Sequence, residues 1–106
     1  MKFIFEVTIK PGFQVEEYAA AWVAASSLIQ QAPGALGTHL HRHLQDERKL
    51  IAIAEWRSKA ERDAMEANAD AAIKAIISSV AHLCEIRPLG EYADPQWSVL
   101  PPASKH

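Results

Sequence analysis

The chain has 106 residues, 49% hydrophobic and 23% charged, with a formal net charge of −2. This length supports one layered core and leaves no room for a second domain, and the balance is globular rather than disordered. There is no Lys/Arg-rich run and no apolar stretch of membrane-spanning length, so neither a nucleic-acid nor a membrane partner is expected.

From Lys2 to Lys10 the sequence alternates: Phe3, Phe5, Val7 and Ile9 point one way, Ile4, Glu6 and Thr8 the other. Period two with aromatic and β-branched residues predicts a half-buried strand, ended by Pro11-Gly12. Between Gln14 and Ala32 an apolar stripe (Val15, Tyr18, Trp22, Ala25, Ile29) predicts an amphipathic helix, which Pro33-Gly34 stops.

Alternation resumes from Leu36 to Gln45. Thr38, Leu40, Arg42 and Leu44 share one face, and His39, His41 and His43 the other. After Asp46-Glu47-Arg48 a third strand runs from Lys49 to Arg57. Leu50, Ala52, Ala54 and Trp56 face one way, Ile51, Ile53, Glu55 and Arg57 the other. Two alternating runs joined by a short polar turn predict an antiparallel hairpin.

Ser58-Lys59-Ala60-Glu61 has the spacing of a capping box. A helix follows to about Asn68, and Asp70 caps a further piece buried through Ile73, Ile76, Ile77 and Val80. Leu83 to Leu89 is the last strand, and Pro88 places it at an edge or an end. Residues 1–90 thus form a ferredoxin-like α+β domain of order βαββαβ, with a four-stranded antiparallel sheet. Residues 91–106 form an extended tail, expected to pack on the domain or on a partner.

Helices over one sheet face leave the other to Ile4, Glu6, Thr8, the histidines, Ile51, Ile53, Glu55, Glu85 and Arg87. Ile4, Ile51 and Ile53 would make an exposed apolar patch, so a homodimer through this face is expected, with the tail contributing.

Alternate strand residues lie ~7 Å apart on one face. His39, His41 and His43 could therefore aim imidazoles at one metal, with Glu55 or Glu6 as an oxygen ligand, but no second element completes a ligand set. The plain alternative is a row of interface or solvated histidines, and neither metal nor cofactor is expected. Trp22 and Trp56 are either core or walls of an aromatic pocket; Ala52 and Ala54 would leave room for one, and Met65 could line it. Cys84, the only cysteine, excludes an internal disulfide, reads as core and fits a reducing, cytoplasmic setting.

The Lys10-Pro11-Gly12 turn before a helix, Pro33-Gly34 before an alternating strand, and Glu55-Trp56-Arg57-Ser58-Lys59 entering a capped helix resemble the antibiotic biosynthesis monooxygenase family of dimeric α/β barrels. The likeness spans roughly Phe3 to Leu89. It implies a dimer whose sheets form a joint barrel, and a monooxygenase or related enzyme acting on an aromatic or quinol-type small molecule without a cofactor. On that reading Trp22, Trp56 and Met65 hold the substrate, while His41, His39, Arg42 and Glu55 assist proton removal or stabilise an oxyanion. Haem-cleaving relatives use an asparagine, a tryptophan and a histidine where this chain has Val7, Met65 and about Ala75, which argues against haem degradation. The alternative is a non-catalytic dimeric module of the same fold that binds a ligand or a protein.

Overall fold

The computed structural model describes residues 1–103. Its order is β1 (Lys2–Ile9), α1 (Val15–Ile29), β2 (Ala35–Arg42), β3 (Lys49–Trp56), α2 (Lys59–Ala67), α3 (Ala71–Val80), a 3-10 turn (Ala81–Leu83) and β4 (Cys84–Tyr92). The four strands form one antiparallel sheet in the order β2-β3-β1-β4, unclosed, with β2 and β4 at its edges. This is the expected ferredoxin-like α+β fold. Among the described residues no helix is long and apolar enough to cross a membrane.

Registers turn the alternation into rows across the sheet. On the helix side run Thr38–Ala54–Phe3–Glu91, Leu40–Ala52–Phe5–Pro88 and Arg42–Leu50–Val7–Ile86. On the opposite side run His39–Ile53–Ile4–Gly90 and His41–Ile51–Glu6–Arg87. A slip of one residue would exchange the two sets, so burial of one face fixes the register.

The helix side is filled at one end and hollow at the other. Val7, Ile9, Leu50, Leu83 and Cys84 close around Tyr18 in a dry cluster. Towards Phe3 and Ala54 the sheet offers small or half-covered residues, and α2 crosses above with only Arg62 buried.

β4 extends further than expected. It runs past Pro88 and Gly90 to Tyr92, because a bulge absorbs Leu89 between the pairs Ile4↔Gly90 and Phe5↔Pro88. Without that extra residue taken out of step, Glu91 would point away from the helices; with it, Glu91 turns towards α2.

The Ser58 cap forms only in part. Its hydroxyl accepts from the Glu61 N–H at 3.2 Å, but the Glu61 carboxylate binds the Ser58 hydroxyl and the Arg57 guanidinium instead of reaching back to the cap's N–H. Asp70 caps α3 through Ala72 N–H at 2.9 Å.

After Tyr92, Asp94 Oδ1 accepts from the N-terminal amine at 2.7 Å, and beyond it the large apolar side chains leave the domain: Trp97 is 88% and Val99 98% exposed. Beyond β4, the expected packing of the tail on the domain or a partner is met within the single chain only at Asp94; residues 104–106 lie outside the described part.

Candidate functional site

A cavity of about 290 Å³ lies between the helices and the hollow end of the sheet. The local sequence explains it. Ala54 and Thr38 put little volume beside Phe3, so helix and sheet side chains do not meet there. Trp22 from α1, Trp56 from the end of β3, and Met65 from α2 all line this space, together with Phe3, Tyr18 and Arg62. The three residues expected to hold a ligand are therefore brought together.

Most of the wall is apolar, with a few polar groups inside it. Gln30 is spent on structure, its side-chain oxygen accepting from Gly37 N–H at 2.8 Å. Tyr18 and Trp56 differ. Among the described residues neither the hydroxyl nor the indole N–H has a protein partner, and no unpartnered polar atom is sealed away. Both donors are therefore left to the cavity they line. Burial pushes the Tyr18 phenol up from its ordinary value, with a smaller contribution from Cys84, so it stays a neutral donor. Burial likewise raises the Cys84 thiol, against a smaller opposing pull from Lys10. A neutral, buried thiol is a poor nucleophile.

Arg62 is the buried charged group of the site, beside the exposed Glu66 and Lys74 that also line it, and sequence reasoning missed it. It is 8% exposed, and its guanidinium carbon lies 3.6 Å from the centroid of the Phe3 ring. Nη2 donates to Glu66 at 3.0 Å, and Nη1 lies 3.7 Å from Glu91. The available signal was position: Arg62 and Met65, three residues apart, share one face of α2. An arginine there has to bury its head or interrupt that face.

The expected proton-handling set is not brought together. His39 and His41 stand on the outer sheet face with ring centroids 6.3 Å apart. The sheet itself separates them from the cavity. Glu55 shares their face but pairs with Lys2 across β1 at 3.6 Å. Arg42 points to the helix side, where Nη2 meets Glu16 at 3.2 Å. Its neighbourhood with the histidines along the chain is undone by strand alternation.

His43 also leaves the row. β2 has ended, and its Nδ1 accepts from the N–H groups of Gln45 and Asp46 at 2.9 and 3.1 Å, closing the hairpin loop. Among the described residues no group of three His, Cys, Asp or Glu side chains is placed to hold a metal ion.

An antiparallel sheet with an aromatic cavity under its helices defines a small α+β fold of the ferredoxin-like class. The chain belongs to the antibiotic biosynthesis monooxygenase family, whose profile matches residues 1–77. The curated proteins contain no sequence that matches it.

Solved structures share the fold. A mutant of SnoaB, a cofactor-independent oxygenase from Streptomyces nogalater, superposes with a TM-score of 0.78 at 16% identity, over 91% of this chain and 93% of that one. A Deinococcus radiodurans protein provisionally assigned as an antibiotic biosynthesis monooxygenase gives 0.70 at 12% identity, over 95% and 100%. A Pseudomonas aeruginosa protein gives 0.64 at 20% identity, over 87% and 93%. At these identities the likeness speaks for the fold alone.

Proposed function

We propose that the cavity is the active site of a monooxygenase that oxidises an electron-rich phenol or quinol with O2 and no resident cofactor. The observation that carries this reading is the aromatic-lined space of about 290 Å³, with donors from Tyr18, Trp56 and Arg62. Its size is at the low end of small-ligand pockets and suits a compact aromatic. Trp22 and Trp56 offer ring faces, and the Tyr18 hydroxyl and indole N–H offer hydrogen bonds to a substrate oxygen. Family membership and the oxygenase chemistry of SnoaB support the reaction class.

The electrons balance without a reductant. A phenol C–H para to the hydroxyl becomes a quinone carbonyl. One atom of O2 enters that carbonyl, and the other leaves as water with the ring and hydroxyl protons. The substrate supplies all four electrons. The protein's part is to hold the ring, favour its electron-rich ionised form and keep bulk water away.

The working unit we propose is a homodimer through the outer sheet face, with the tail reaching the partner. Ile4, Ile51 and Ile53 give that face an apolar centre, and Trp97, Val99 and Leu100 are exposed in the single chain.

The test is O2 consumption with a panel of monocyclic phenols and polyphenols whose position para to a hydroxyl carries hydrogen, read with an oxygen electrode and by incorporation of labelled oxygen. Turnover above the uncatalysed rate that falls at least tenfold in Trp22→Ala supports the reading. Saturable binding with no oxygen uptake would instead favour a non-catalytic ligand-binding dimer.

A further inference from the structure

We infer that Arg62 is the docking group for an ionised oxygen on the cavity's ligand, so that the site selects phenolates over uncharged aromatics of the same shape. This deepens the substrate class and rests on the reading of the cavity as an aromatic site.

The guanidinium has five N–H donors. Among the described residues only one hydrogen bond uses them, Nη2 to Glu66 at 3.0 Å. Glu91 stands 3.7 Å from Nη1, outside hydrogen-bond distance. A buried cation with most of its donors idle is costly unless something completes its shell. No unpartnered side-chain polar atom is sealed off among the described residues, so the idle donors reach open space, and Arg62 is among the residues lining the cavity. Stacking on Phe3 at 3.6 Å fixes the plane of the fork, so a ligand oxygen meets donors already in place.

The nearby carboxylates oppose an anion less than their number suggests. Glu66 is 61% exposed and screened by water. Glu91 also lies 3.4 Å from Lys59, which takes up part of its charge. Phe3, Trp56 and Tyr18 line the cavity, and of its two lining cations Arg62 is buried while Lys74 is exposed and screened by water.

The experiment uses para-nitrophenol, whose ionised form has its own absorption band, and para-nitroanisole as its uncharged counterpart. In the intact protein the phenolate should bind about tenfold or more tighter than the neutral phenol, which appears as a fall of about one unit in the apparent pKa of the bound dye. Arg62→Met should abolish that preference while keeping para-nitroanisole binding. Glu91→Gln, which removes a competing charge, should tighten phenolate binding about threefold. A purely structural role for Arg62 predicts no such gain.

If para-nitroanisole binds but the bound and free dye ionise alike in the native protein, this inference is overturned and the aromatic cavity stands. If neither dye binds, the reading of the cavity itself fails. Should Arg62→Met not fold, Glu91→Gln decides: unchanged phenolate affinity overturns the assignment.

Discussion

At Tyr18 a phenol is held almost wholly out of water by Val7, Ile9, Leu50 and Leu83. Burial raises its ionisation above the ordinary tyrosine value of 10.0. The folded chain therefore keeps a proton that the unfolded chain gives up as pH passes about 10, and stability falls with rising pH across that window. The slope is about 1.4 kcal/mol per pH unit for one group. Denaturant midpoints measured between pH 8 and 11 should show Tyr18→Phe losing less stability above pH 10 than the native chain; equal slopes would mean the phenol is hydrated. Trp56 tests packing at the same scale. It is 2% exposed, and truncation to alanine should cost about 3–5 kcal/mol. Trp22 is only half-buried, so Trp22→Ala should cost less in chemical denaturation while weakening aromatic ligands.

Among the elements, the turn from α1 into β2 is constrained by Gly34. Its φ is +87°, and an added Cβ would come within 2.8 Å of the Glu61 Cβ. Gly12 has a φ of +88° with nothing nearby. Gly12→Ala should cost about 1–2 kcal/mol from backbone strain. Gly34→Ala should cost clearly more, because Glu61 is also held by Arg57 and Ser58; equal losses in thermal unfolding would show that the Glu61 side chain simply moves aside. Strand alternation and helical stripes made most of these elements legible, down to the break between α2 and α3 and the facing of His39 and His41. Two features were not. The bulge at Leu89 depends on pairing with β1, which no local pattern encodes, and it sets where Glu91 points. Arg62 was hidden because a charged helix residue is ordinarily a solvated one. Only the hollow over Ala54 and the ring of Phe3 give it a buried place. The aromatic half of the site could be read from residue size; its charged half needed the third dimension.

For the molecule as a whole, the dimer we propose rests on the sheet's outer face. Its centre is apolar, with Ile4 paired to Ile53 and Ile51 beside them. Its flanks hold intrasheet ion pairs, Lys2–Glu55 at 3.6 Å and Lys49–Glu6 at 3.9 Å. Pairs already satisfied within one sheet add little to association, so the dimer we propose should be held by the isoleucines and the tail rather than by charge. Light scattering should give a mass near twice 11.7 kDa, little changed by raising salt, since screening weakens only the flanks. Ile53→Lys would put a charge at the centre of the contact and should yield a folded monomer, because on the single chain that side chain borders solvent. Truncation after Tyr92 should weaken the dimer without unfolding the sheet, since residues 93–103 leave Trp97, Val99 and Leu100 unpacked on their own domain. A native chain that stays monomeric at micromolar concentrations would overturn the sheet-face interface, yet leave the cavity in place, because Phe3, Trp22, Trp56, Arg62 and Met65 already line it within the single chain.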